Sequence, residues 1–300
     1  MELGHEVNFV SGTNTFDCHA IMYRFDERYG FQIDGCDSWI IASMPELVHV
    51  MEGRPSWYTG LWRSETDKLF VTAATGRVLI NPDPMPGTKW ETVELPGTLE
   101  GVWGLDDENV YVWGRRGDNP LLFHYDGKSW SEIACPGHVI SMHGIAKDLI
   151  LAVGDRGLTA RWNGTTWELL PAFTKSVLSC VFVAGEDDIC ACGLSNEVFQ
   201  GSARGLDKLM EHPHLTGCIA KWKDQWWVGV GGELGLSVLD GNTLISKKPN
   251  IIPTSFDARD SLLMAASVGL VGTPDGEVFT GRMMPDFARV AAKTGPPMWI

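Results

Sequence analysis

A proline returns along this chain at intervals that leave the fold little freedom. Pro55, Pro96, Pro136, Pro171, Pro213, Pro249 and Pro285 are separated by 41, 40, 35, 42, 36 and 36 residues, close to the ~40-residue length of one four-stranded propeller blade. Beyond each of the first six comes a short apolar run closing in small residues: LFVTAA from Leu69, VYVWG from Val110, LILAVG from Leu149, ICACG from Ile189, WWVGVG from Trp226 and LLMAAS from Leu262. Short apolar, β-branched runs that stop at Gly or Ala have the form of strands buried on both faces. They are read as the second strand of each blade.

The segment before each run is the innermost strand: TGLW at Thr59, GVWGL at Gly101, VISMHGI at Val139, LSCVFV at Leu178, GCIAKW at Gly217 and TSFDA at Thr254. Small residues near its start suit a place where neighbouring blades crowd together. The third strand runs into Asp126-Gly127, Asn163-Gly164, Asp240-Gly241 or Asp275-Gly276. Such dipeptides supply the two positive φ values of a type I′ turn, so the fourth strand folds straight back. A seventh copy precedes Pro55: GFQIDGCDSW from Gly30 aligns with GVWGLDDENV from Gly101, and WIIAS from Trp39 matches the second-strand runs.

The predicted fold is therefore all-β, a seven-bladed β-propeller of four-stranded antiparallel blades. Its repeats fall at about 29–54, 55–95, 96–135, 136–170, 171–212, 213–248 and 249–284 of a single 1–300 domain. Residues 1–28 and 285–300 remain over. One terminus is expected to lend a strand to the closing blade and so remove two free edges.

Composition narrows the function classes. Lys plus Arg is 24 and Asp plus Glu is 38, a net charge of −14. An acidic surface repels phosphate backbones and anionic membranes, which excludes nucleic-acid binding through a basic face and favours a basic protein partner. The N-terminal stretch MELGHEVNFV lacks the basic start and apolar core of a signal peptide, and no run approaches the ~18 apolar residues of a membrane span. Seven cysteines at 18, 36, 135, 180, 190, 192 and 218 then read as reduced thiols of a cytoplasmic protein.

Motifs of catalysis fail on inspection. Gly127-Lys128-Ser129 ends like a phosphate loop, but position 122 is Leu where that loop needs Gly. HExxH, CxxC and EF-hand patterns are all missing from the sequence. Cys190 and Cys192 stand two apart on a strand and point the same way, toward Cys180; three thiols suit a soft metal, but buried cysteine packing as a small hydrophobe is the simpler reading. No metal and no cofactor is assigned.

Binding candidates lie where loops enter the innermost strands, the end at which propellers open on a funnel. They are Glu100, His138, Lys175, His212 and His214, together with Trp57 should its ring be exposed. Glu100, His138, Lys175 and His214 come from four consecutive repeats, so a hydrolase or lyase site in the funnel is the alternative, favoured by a carboxylate and a histidine within hydrogen-bond reach. Asp106-Asp107-Glu108 and Glu186-Asp187-Asp188 occupy equivalent turns and are expected to form an acidic rim for a cationic partner.

The DGxSW turn at Asp126, the NGTTW turn at Asn163, the VWG runs at Val102 and Val112, and LAVGDRG at Leu151 resemble the Trp-Gly repeats of bacterial propellers related to the photosystem II assembly factor and the Asp-box, sialidase-type superfamily. The resemblance spans roughly residues 29–284. It implies the propeller fold; the sialidase arginine triad, tyrosine nucleophile and acid have no counterpart at mappable positions. With no catalytic residue assigned, the expected function is a non-catalytic protein-binding scaffold of the cytosol, in a specific form a bacterial immunity protein that neutralises a basic toxin.

Overall fold

A computed structural model describes residues 3–28, 36–52, 57–171 and 174–294. Blade one is β1 (Leu3–Asn14), β2 (Asp17–Asp26), β3 (Cys36–Ser43) and β4 (Leu47–Glu52), and blade two is β5 (Tyr58–Arg63), β6 (Leu69–Ala73), β7 (Arg77–Asn81) and β8 (Glu91–Glu94). Blade three follows with β9 (Thr98–Asp106), β10 (Asn109–Arg116), β11 (Asn119–Tyr125) and β12 (Trp130–Ile133), and blade four with β13 (Val139–Ala146), β14 (Leu149–Gly154), β15 (Thr159–Trp162) and β16 (Trp167–Leu169). Blade five is β17 (Leu178–Gly185), β18 (Asp188–Gly193), β19 (Glu197–Ser202) and β20 (Gly205–Glu211); blade six is β21 (Thr216–Trp222), β22 (Gln225–Val230), β23 (Leu236–Asp240) and β24 (Thr243–Lys248). Blade seven is β25 (Pro253–Ala258), β26 (Leu262–Ala266), β27 (Gly269–Thr273) and β28 (Thr280–Met283), followed by helix α1 (Met284–Ala291).

Every sheet holds four strands in sequence order, and the described pairings are antiparallel, as between β10 and β11 or β14 and β15. The fold class is an all-β seven-bladed propeller of four-stranded blades, as the repeats predict. The second strands β6, β14 and β26 are buried at every position, which is why their sequences carry no alternation. The chain divides into two compact units, one of Met1–Leu95 with Thr254–Ile300, the other of Pro96–Pro253.

Blade one departs from expectation. Its innermost strand is β1, which packs against β26 and β5, and WIIAS lies in the third strand, not the second. Residues 30–35 of the GFQIDGCDSW segment lie outside the described residues. The true second strand, β2, escaped the repeat pattern because its buried residues include His19, Arg24 and Asp26. Arg24 stays inside because Asp37, opposite it on β3, accepts from its guanidinium at 2.5 Å, so charge hides what is physically a core strand.

Among the described residues neither terminus lends a strand to another blade. The N-terminal segment supplies the first half of blade one, and the FARVAA segment forms most of helix α1. That helix buries Phe287, Val290 and Ala291 against Val7, Val10, Trp39 and Ile41.

Three of the four turns, at Asp126, Asn163 and Asp275, close by another device than the predicted type I′ geometry. Only the glycine has positive φ, +90° at Gly127. Asp126 keeps an ordinary backbone, and its Oδ1 accepts the N–H groups of Lys128 and Ser129 at 2.9 and 2.8 Å. Asn163 does the same for Thr165 and Thr166, and Asp275 for Glu277 and Val278, so a side-chain oxygen replaces part of the backbone turn.

In the unit of Pro96–Pro253, adjacent innermost strands are joined through side-chain acceptors. Ser141 Oγ and His143 Nδ1 on β13 accept the N–H groups of Val181 and Val183 on β17, at 3.3 and 3.0 Å. Cys180 Sγ accepts that of Ile219 on β21 at 3.5 Å. These contacts satisfy backbone donors that no strand pairing reaches.

Candidate functional site

Glu100 near the start of β9 and His138 just before β13 come together, as their placement in neighbouring repeats suggests. The imidazole Nε2 lies 2.7 Å from Glu100 Oε2 and its Nδ1 lies 2.6 Å from Asp155 Oδ2, while Arg115 Nε forms an ion pair with the other oxygen of Glu100 at 2.9 Å. A neutral imidazole has one N–H and one acceptor nitrogen, but here both nitrogens face carboxylates and both must donate. The ring is held as an imidazolium. Partial burial alone would lower its pKa; the hydrogen bonds and charges of Asp155 and Glu100 outweigh that and raise it above the ordinary value.

Beside this cluster runs a groove of about 740 Å³ lined by Arg115, Asp118, His138, Asp155, Arg156, Leu158, Leu169 and Leu170, among others. Two turns between second and third strands shape it: Arg115 to Asp118 in blade three and Asp155 to Gly157 in blade four. Arg156 holds a left-handed backbone at φ +55°, a conformation that costs a non-glycine residue of order 1 kcal/mol. Asp155 is tied to His138 on one side. On the other, a Cβ on Gly157 would stand 2.0 Å from the Thr174 carbonyl oxygen. The turn is thus fixed at both ends, and the Arg156 side chain is exposed with no ion pair among the described residues. Leu169, 69% exposed, supplies apolar surface to the same groove.

The other candidates stand elsewhere. Lys175 is exposed and makes no contact with the cluster, and no ion pair among the described residues involves it. His212 Nδ1 accepts the His214 N–H at 3.3 Å, and its pKa is lowered by burial and by His214. Neither histidine joins His138. Trp57 is half-buried and packs on Tyr23 at 5.6 Å between ring centroids, so it offers no exposed platform.

The acidic rim is uneven. Asp187 pairs with Arg204 and Asp188 with Lys221, while Glu186 lies 3.9 Å from Arg204; the turn at 186–188 is therefore largely neutralised. No cation pairs with Asp106 or Glu108 among the described residues, and Asp106 Oδ1 accepts from the Glu108 N–H and from Asn109. Of the two turns, the one at 106–108 holds two acids, Asp106 and Glu108, with no cation partner among the described residues.

Cys190 and Cys192 are packed in a cluster with Val198, Ile219 and Val228. No group of three or more His, Cys, Asp or Glu among the described residues is arranged to hold a metal ion. Arg115, Asp155 and Arg156 were not singled out in the sequence, though GRRGD at Gly114 and GDRG at Gly154 repeat a charged turn at equivalent places in adjacent blades.

No protein-family model matches the chain, and no curated protein matches it in sequence. Solved structures do. A YCF48 structure bound to a D1 peptide is similar at TM-score 0.62 and 12% identity, over 90% of this chain and 93% of that one. The WD40 β-propeller domain of Doa1 is similar at TM-score 0.66 and 12% identity, over 94% and 95%. Virginiamycin B lyase from Staphylococcus aureus is similar at TM-score 0.63 and 10% identity, over 90% and 98%. At such identities the likeness concerns architecture, and what these chains share with this protein is the propeller fold.

Proposed function

We propose that this chain is a non-catalytic scaffold that binds another protein through the groove beside His138. The observation that carries the reading is the state of the imidazole: with both nitrogens donating to carboxylates it has no lone pair for general-base work, and it instead fixes the groove wall. An exposed guanidinium and an exposed leucine next to a rigid turn form a surface suited to an extended peptide segment. A fold neighbour bound to a peptide, YCF48 with D1, supports this use of the architecture.

The finer form of the reading is a bacterial immunity protein whose partner is a basic toxin, on a scaffold of the Trp-Gly repeat kind. The net charge of −14 would steer such a partner, and Asp106 and Glu108, which pair with no cation among the described residues, would meet it. A cytoplasmic location accords with the six described cysteines all being free thiols. Among the described residues no helix is long and apolar enough to cross a membrane.

One observation favours a second reading, a hydrolase or lyase: Glu100 and His138 do lie within hydrogen-bond reach, and virginiamycin B lyase shares the fold. The two readings part in one experiment. Tagged protein and an Arg156→Glu variant are used to capture partners from lysate at low and high salt, with bound proteins identified by mass spectrometry. A stoichiometric basic partner retained by the wild type and lost by the variant supports the scaffold; capture of nothing at either salt overturns it.

A further inference from the structure

We propose that Cys180 and Cys192 are a redox pair that closes to a cross-strand disulfide within blade five. The two residues stand directly opposite each other in the antiparallel register of β17 and β18. Opposed residues of such a pair have Cα atoms about 4.5–5.5 Å apart, inside the roughly 4.4–6.8 Å range that a disulfide spans without moving the backbone. Directly opposed residues of an antiparallel pair project from the same face of the sheet, so the two thiols face each other. The proximity of the two thiols holds that of Cys180 below its ordinary pKa and, with burial, pushes Cys192 well above, which suits Cys180 as the nucleophile and Cys192 as the resolving thiol. The Ile219 N–H pointing at Cys180 Sγ favours negative charge on the same atom. Cys180 is partly exposed whereas Cys192 is fully buried, so an oxidant entering from solvent meets Cys180 first.

With a peroxide as oxidant, the Cys180 thiolate attacks one peroxide oxygen, the O–O bond breaks and hydroxide leaves, taking up the proton Cys180 had released. Cys180 is now a sulfenic acid. The Cys192 sulfur attacks it, the S–O bond breaks, and water departs with the Cys192 proton as the S–S bond forms. Two thiols and one peroxide become one disulfide and two waters, a two-electron oxidation. Cys190, paired in register with Phe182, takes no part. Cys218 begins the next blade and is the natural control.

The test uses the full chain, reduced, exposed to hydrogen peroxide, alkylated without reductant, digested and read by mass spectrometry. The expected product is a peptide pair joined through Cys180 and Cys192, lighter by two hydrogen atoms and released by dithiothreitol. Cys218→Ser should leave that link intact, and Cys192→Ser should accumulate a sulfenic acid on Cys180 that dimedone traps. Recovery of both thiols alkylated, or a link from Cys180 to Cys218 in its place, would overturn the proposal. The wild-type digest decides the matter by itself where a variant fails to fold.

Discussion

Two ion clusters in this protein use the same chemistry for opposite ends. In blade one Arg24 and Asp37 face each other across β2 and β3 with side chains only 3% and 4% exposed, and the Arg24 guanidinium lies over the Trp39 ring at 4.7 Å. In blades three and four Glu100, His138, Asp155 and Arg115 meet at a groove, where the histidine side chain is 30% exposed and Arg115 54%. A buried pair is strongly felt when one partner is removed, because the other charge is stranded without water. A half-open cluster contributes little to stability, since solvent replaces a lost partner. Its value lies in orientation: it decides where a turn and its side chains stand.

The sharpest way to break that contrast is Asp37→Ala. It should strand the Arg24 guanidinium and lower unfolding stability by about 3–5 kcal/mol, read by chemical denaturation. A loss below about 1 kcal/mol would mean the pair is solvated and the contrast empty.

Acidification comes next. Burial depresses the pKa of both His19 and His143 to about 4. Their contribution is complete above the unfolded value of ~6.5 and is lost as pH falls toward 4, because the unfolded chain then binds the extra protons. The melting temperature should drop by several degrees, roughly 5 °C or more, between pH 7 and pH 4.5. His143→Phe should shrink the drop if it folds; an unchanged profile would contradict neutral burial.

At the groove the expected signature is the reverse. His138→Ala should change stability by less than about 1 kcal/mol, yet weaken partner capture about tenfold or more, equivalent to ~1.4 kcal/mol, because Asp155 and the Arg156 turn lose their anchor. The raised pKa of His138 gives the sign with pH. The imidazolium's contribution is full below ~6.5 and fades as pH rises through the higher folded value, so capture should decline toward alkaline pH. The variant should show no such decline, and a parallel decline would remove His138 from the explanation. The smallest effect is expected for Leu169→Ser, a few-fold loss of capture with unchanged melting, measured by titration of the captured partner; a lower melting temperature would recast Leu169 as packing rather than contact.

What the sequence showed and what it hid follow the same physics. Six blades were legible because their second strands each carry a short, mostly apolar run, such as LILAVG, that closes in small residues. Blade one was not, because β2 carries its buried charge in a pair whose partner lies eleven residues beyond the strand, a relation invisible to local pattern. The meeting of Glu100 and His138 could be foreseen from equivalent positions in neighbouring repeats. Arg115, Asp155 and Arg156 could not be told from solvated loop residues, since a turn reads as polar whether or not its ends are pinned. Positive φ at Arg156 is a backbone fact that no residue type announces.

The side-chain caps of the hairpin turns carry a consequence for how such a surface changes over time. The oxygen that Asp126 offers to two N–H groups is offered equally by Asn163, so an aspartate and an asparagine are interchangeable at these tips as far as geometry goes. Charge there is free to vary while the hairpin stays as it is. The protein can therefore adjust its acidity, and with it the partners it draws in, one tip at a time and without touching the blades beneath.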